Sequence, residues 1–195
     1  MVNPAGPPGR SRRALLGGAT AALAGAASLT VSGCGAKAPA GAHSVHKTRP
    51  PVRQADITLL AGLLDLERHT VAAYTAGIPL LGHDQAKTAK QFLDEELQHT
   101  GELISLIKAA GGDAPPRRAP FDLGHPAGAT GVLELLHGLE RTQIVTYLDA
   151  IPRLSPGPVR AAAATILASD AQHIAILRQA QGKPALAGPF LTGAQ

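Results

Sequence analysis

The pattern LERxxxxxYxxxIPxL occurs twice in this chain. The first copy is LERHTVAAYTAGIPLL, with Glu67, Tyr74 and Pro79; the second is LERTQIVTYLDAIPRL, with Glu140, Tyr147 and Pro152. Each copy is followed by an acid and, three residues later, a histidine: Glu96 and His99 in EELQH, Asp170 and His173 in SDAQH. Such a duplication leaves few choices of fold. The chain must build two similar halves, each presenting one carboxylate on a first helix and a carboxylate with an imidazole on a second. Arranged around one axis, those halves form a four-helix bundle with a two-metal site at its centre.

An isolated glutamate on a helix usually faces water, so the neighbours of each acid decide the matter. Glu67 has Leu60 and Leu63 at minus seven and minus four, and Val71 and Tyr74 at plus four and plus seven. Glu140 has Leu133, Leu136, Ile144 and Tyr147 at the same offsets. Glu96 follows Phe92 and Leu93 by one turn and precedes Leu103 by two, and Asp170 lies between Ile166, Leu167 and Ile174, Leu177. All four acids therefore stand on the apolar stripes of their helices. Burying unpaired carboxylates is very costly, and four together repel one another. Two divalent cations balance the four negative charges, so a pair of metals is expected. The i, i+3 spacing puts Glu96 with His99, and Asp170 with His173, on one helix face each.

The helices read as follows. Helix A is expected over 56–78, ended by Pro79 and Gly82; helix B from the candidate cap Asp84 to Ala110, stopped by Gly111 and Gly112. Helix C is expected from Thr130 to Ile151, stopped by Pro152, and helix D from Pro158 to Gly182. No stretch shows strand alternation, so the fold class is all-α. The A–B and C–D connections are short, which makes each pair an antiparallel hairpin. The B–C connection is Pro-rich; roughly 16 residues at ~3.3 Å each reach ~50 Å. A helix of about 25 residues is only ~38 Å long, so this one crossover can run the length of the bundle.

Other polar residues carry weaker signals. Glu95, Gln98 and Glu102 form a separate stripe on helix B and read as solvent-facing. His137, one turn before Glu140, offers a further nitrogen ligand or a supporting contact. His69, His83 and His125 read as surface or loop residues. Tyr74 and Tyr147 are the only two tyrosines. Each reads either as a core residue whose hydroxyl steadies a ligand carboxylate or as a one-electron donor beside an oxidising metal pair.

The chain has 18 basic and 14 acidic residues in 195, with a pI near 9.6. Arg10, Arg12 and Arg13 are the only charged residues before Cys34, so the rest has a net charge of +1. With few aromatics and no basic cluster on the helices, a nucleic-acid partner is excluded from the expectations. Arg12 and Arg13 precede a weakly hydrophobic Ala- and Gly-rich run ending VSGC. This resembles a twin-arginine export signal with a bacterial lipobox, which implies Cys34 as the lipid-attachment residue and an anchor on the outer face of the cytoplasmic membrane. An uncleaved anchor, or Cys34 as an idle thiol, is the alternative. The expected layout is a signal over 1–33, a flexible linker over 34–54 that carries His43 and His46 as solvated residues, a bundle over 55–182 and a tail over 183–195.

Over residues 55 to 182 the chain resembles the ferritin-like superfamily of di-iron carboxylate proteins, in particular the bacterial ferritin-like group that includes desiccation-related proteins. The resemblance implies a ferritin-like four-helix bundle. It implies Glu67 and Glu140 as single-carboxylate ligands, with Glu96/His99 and Asp170/His173 as the paired ones, around two iron or manganese ions. It also implies redox chemistry with oxygen or peroxide: Fe(II) oxidation or peroxide breakdown. Asp170 departs from the usual glutamate, and its shorter side chain points to a metal near helix D that is weaker or absent. Cys34 is the only cysteine, so the rubredoxin-like tail of rubrerythrins is absent. Rival readings are a metal-binding protein without turnover, and a structural stress protein with an incomplete site. A lipid-tethered chain is expected to be a monomer or homodimer rather than a storage cage.

Overall fold

The computed structural model describes residues 53–118 and 120–194. The segment expected to be an export signal, Cys34 and the histidines His43 and His46 of the expected linker lie outside the described residues. Among the described residues the fold is made of four long helices, α1 (Gln54–Gly77), α2 (His83–Ala109), α3 (Gly128–Arg153) and α4 (Pro158–Ala180), with a 3-10 turn at Ile78–Leu80. No strand occurs among the described residues, and no helix there is long and apolar enough to cross a membrane. The most extensive packing is α1 on α2 and α3 on α4, the two hairpins; α1 also packs on α3, and α2 on α4.

The helix ends follow from local chemistry. α2 and α4 stop identically. Gly111 (φ 82°) and Gly182 (φ 72°) take the left-handed conformation, and the following amides, Gly112 and Lys183, donate back to Ile107 O (3.0 Å) and Arg178 O (2.9 Å). α1 starts on a shared carboxylate. Asp56, 1% exposed, accepts from the Arg53 amide (2.9 Å) and from the Ser155 amide in the α3–α4 connection (2.8 Å). One side chain thus caps a helix and fastens the second hairpin to the first.

Several boundaries differ from expectation, beginning with α1, which starts at Gln54 rather than 56. Asp84 is not the cap of α2: the chain turns extended at Gly82, whose amide donates to Gln85 Oε1 (3.3 Å), and the helix begins at His83. α3 begins at Gly128 rather than Thr130. Pro152 does not stop α3, which continues to Arg153, because a proline in a last turn deprives only a carbonyl at the helix end of its donor; the Leu154 amide still reaches Ala150 O (3.0 Å). Its counterpart Pro79 sits inside the 3-10 turn.

The apolar core has two parts. One gathers Leu60, Leu63, Leu64, Leu103, Ile107, Tyr147 and Ile166; the other gathers Ala73, Tyr74, Phe92, Val132, Leu136 and Leu177. On every helix the predicted acid falls between these two clusters, so the polar residues form a layer at mid-bundle with a dry core on either side. The helices pack closely near one end: a Cβ on Gly77 would lie 2.6 Å from Val132 Cγ1. The tail returns along the second hairpin, where Arg178 Nε donates to Pro184 O (2.8 Å) and Arg141 Nε to Gly193 O (3.0 Å).

Candidate metal centre

Glu67, Glu96, Glu140 and Asp170 are each fully buried, His173 is 1% exposed, and the His99 side chain is 11% exposed. These six residues meet as two ligand groups. Glu96, Glu140, Asp170 and His173 form one, and Glu67, Glu96 and His99 form the other; within each group one ligand atom per residue lies within 4.8 Å of the rest. Glu96 belongs to both. His99 Nδ1 is 3.7 Å from Glu67, 3.6 Å from Glu96 and 3.5 Å from Asp170, while His173 Nδ1 is 3.3 Å from Glu96 and 3.2 Å from Glu140.

The donor set is one that could hold a metal ion. Both oxygens of Asp170, Glu96 Oε1, Glu140 Oε2 and His99 Nδ1 are buried with no hydrogen-bond partner. Orphaned polar atoms are costly, and here they are ligand atoms gathered at one place. Carboxylate oxygens and imidazole nitrogens are donors that divalent transition metals accept.

The two tyrosines cross over between the halves. Tyr74 donates to Glu140 Oε1 (2.7 Å), and Tyr147 donates to Glu67 Oε1 (2.5 Å). Each repeat therefore bonds the single glutamate of the other. Phe92 stacks on His173 (centroids 4.1 Å apart) and meets Tyr74 edge-on.

A profile of the ferritin-like domain family matches residues 55–183. The chain belongs to that family. Among solved structures, a conserved hypothetical protein, rv2844, from Mycobacterium tuberculosis is similar: TM-score 0.63 and 19% identity, covering 70% of this chain and 96% of that one. At that identity the likeness concerns the fold. A search of curated proteins finds no match.

Within this ferritin-like domain, electrostatics tie the acids to the imidazoles. Burial raises the Glu67 carboxyl to about 8, with the Glu96 charge adding to the push and His99 opposing it. Burial also raises Glu140, and raises Asp170 well above the carboxylate range with the charges of Glu67, Glu140 and Glu96 behind it. Glu96 goes the other way: burial would raise it, but the neighbouring His173 and His99 imidazoles hold it well below the usual range. Burial opposes charge on the imidazoles as well. Even so, Glu67 and Glu96 raise His99 to about 9, and Glu140, Glu96 and Glu95 raise His173 to about 11. Protons on Glu67, His99 and His173 thus offset part of the charge that the four buried acids would otherwise carry.

Two residues of the centre escaped the sequence reading. Glu95 is not simply solvent-facing: at 33% side-chain exposure it receives His173 Nε2 at 2.8 Å, with Gln91 Nε2 donating to its other oxygen (3.0 Å). Its partner is on another helix, so helix B alone gave no signal. Gln98 and Glu102 are exposed, as expected. Gln143 is fully buried, and its Nε2 donates to Glu67 Oε2 (2.9 Å) and Glu96 Oε2 (3.0 Å). It follows Glu140 by three residues, the spacing that flagged His99 and His173, so the same test would have found it. His137 is buried but joins neither ligand group; burial and then Lys183, Arg141 and Arg178 lower its pKa. His83 and His125 are exposed, whereas His69 is half-buried and stacked on Phe121 (4.7 Å).

Proposed function

We propose that this ferritin-like domain holds a dinuclear iron or manganese centre and uses it for redox chemistry on peroxide or oxygen. The observation that carries the reading is Glu96, one buried carboxylate common to two ligand groups in which both Asp170 oxygens, Glu96 Oε1, Glu140 Oε2 and His99 Nδ1 have no hydrogen-bond partner. Glu67, Glu96 and His99 would hold one ion, and Glu96, Glu140, Asp170 and His173 the other. Two such ions supply two one-electron equivalents, enough to convert one hydrogen peroxide to two waters with uptake of two protons. The chain's own residues do the rest. Apolar clusters on both sides exclude water, Tyr74 and Tyr147 fix two carboxylates, and Glu95 links His173 to the surface, where a proton can enter.

The N-terminal sequence supports a location for this chemistry. The Arg12–Arg13 pair and Cys34 favour a lipid-anchored protein outside the cytoplasmic membrane, as a monomer or homodimer, that meets peroxide or Fe(II) in the cell envelope. Export of a folded chain would let the ion be chosen before crossing.

Anaerobic Fe(II) titration followed by mixing with peroxide tests the proposal. Two equivalents bound per chain, then rapid peroxide loss with Fe(II) oxidation, is the expected result. Binding without turnover would reduce the protein to a sequestering one, and no binding would leave a structural bundle.

A further inference from the structure

The two repeats are alike in their ligands and different in what surrounds them. Three residues after the single glutamate, the second repeat has Gln143 and the first has Thr70. Thr70 is fully buried and its hydroxyl bonds its own helix at Leu66 O (3.3 Å). Gln143 instead reaches into the centre and donates to Glu67 and Glu96 at once, leaving its own Oε1 buried without a partner. The residue before the paired acid differs too: Glu95 precedes Glu96, but Ser169 precedes Asp170. Glu95 crosses to His173 on the opposite hairpin, whereas Ser169 reaches only Glu95 (3.4 Å). His99 Nε2 has no hydrogen-bond partner among the described residues, and its ring is the more exposed of the two.

We infer that Glu95 and Gln143 make the two metal positions unequal, so that the position at His173 fills first and holds its ion, and the position at His99 is the exchangeable one. This rests on the dinuclear reading above. Glu95 fixes the ring of His173, with Nδ1 turned toward Glu96 and Glu140 and Nε2 outward. Such outer partners are worth about 10–100-fold in metal affinity. That group also offers four ligands against three. At the other position an ion must compete with the Gln143 amide for Glu67 Oε2, the oxygen that faces His99, and must order an unclamped imidazole. Both differences favour the His173 side. This order is the reverse of what the short side chain of Asp170 alone suggests.

Titration of the full metal-free chain with Co(II), followed by calorimetry and the visible Co(II) bands, tests the inference. Wild type is expected to bind two ions in steps separated by about tenfold or more in affinity. Glu95→Ala weakens the tighter step and spares the other, while Glu95→Gln, which keeps an acceptor for Nε2–H, restores most of the loss. Gln143→Thr, the residue of the first repeat, strengthens the weaker step and narrows the gap; circular dichroism checks that each variant folds. Two indistinguishable steps in the wild type, or a weaker step unmoved by Gln143→Thr, would overturn the inference and leave the dinuclear centre standing. No Co(II) bound at all would overturn both.

Discussion

Replacing Tyr147 by Phe removes one oxygen atom and one buried hydrogen bond, the 2.5 Å contact to Glu67 Oε1. The ring stays in a core where Tyr147 is fully buried, so no cavity of consequence opens. The cost then depends on the charge of Glu67. Burial raises its pKa to about 8, while Tyr147 itself is raised well above 10 and remains a donor throughout. At pH 6 Glu67 is neutral and the bond is an ordinary one, worth about 1 kcal/mol; at pH 9 it is charged, and the bond is worth about 2 kcal/mol. A melting entropy of about 2.1 cal/mol/K per residue over roughly 130 residues converts these to losses of about 4 and 7 °C. Thermal and urea unfolding of the metal-free variant beside wild type, at both pH values, measures them. Equal losses at the two pH values, or a loss below about 0.3 kcal/mol at both, would show that the hydroxyl does not hold the Glu67 carboxylate.

Two further predictions concern the metal-free protein. Its stability should fall as pH rises from roughly 5 to 9. Glu67 at about 8, His99 at about 9 and His173 at about 11 all lie above their unfolded values, so the folded chain holds protons that the unfolded chain releases, and stability present below those unfolded values is lost as pH rises through the folded ones. Melting temperatures across that range check it; a flat or rising profile would contradict the assignment. Asp56→Ala should cost about 2–3 kcal/mol, because the Ser155 amide is left without its acceptor in a buried position and α1 loses its cap. Burial would raise the Asp56 pKa, but the bonds with Ser155 and Arg53 lower it overall. Its contribution is therefore lost as pH falls through the folded value, and the variant should show a shallower acid limb in urea unfolding.

The sequence disclosed what periodicity and spacing can carry. Four acids on apolar stripes, two of them followed by histidine at i+3, pointed to the six residues that meet at mid-bundle, because a buried charge on a helix must sit among apolar neighbours four and seven residues away. Helix stops at Gly111 and Gly182 were legible because only a left-handed residue closes those ends. Asp56 was not, since its partner Ser155 is 99 positions distant in the chain. Glu95 escaped for the same reason, and Pro152 misled because the cost of a proline depends on whether the carbonyl it orphans is at a helix end. The crossed tyrosine bonds follow from the repeat only once the two hairpins are placed face to face.

Crystals of the protein grown with iron, measured on both sides of the iron absorption edge, test the central claim most directly. The account predicts two anomalous peaks inside the bundle, one beside His99 and one beside His173, with Glu96 touching both. A peak only on the surface, or none in the polar layer between the two apolar clusters, would contradict it.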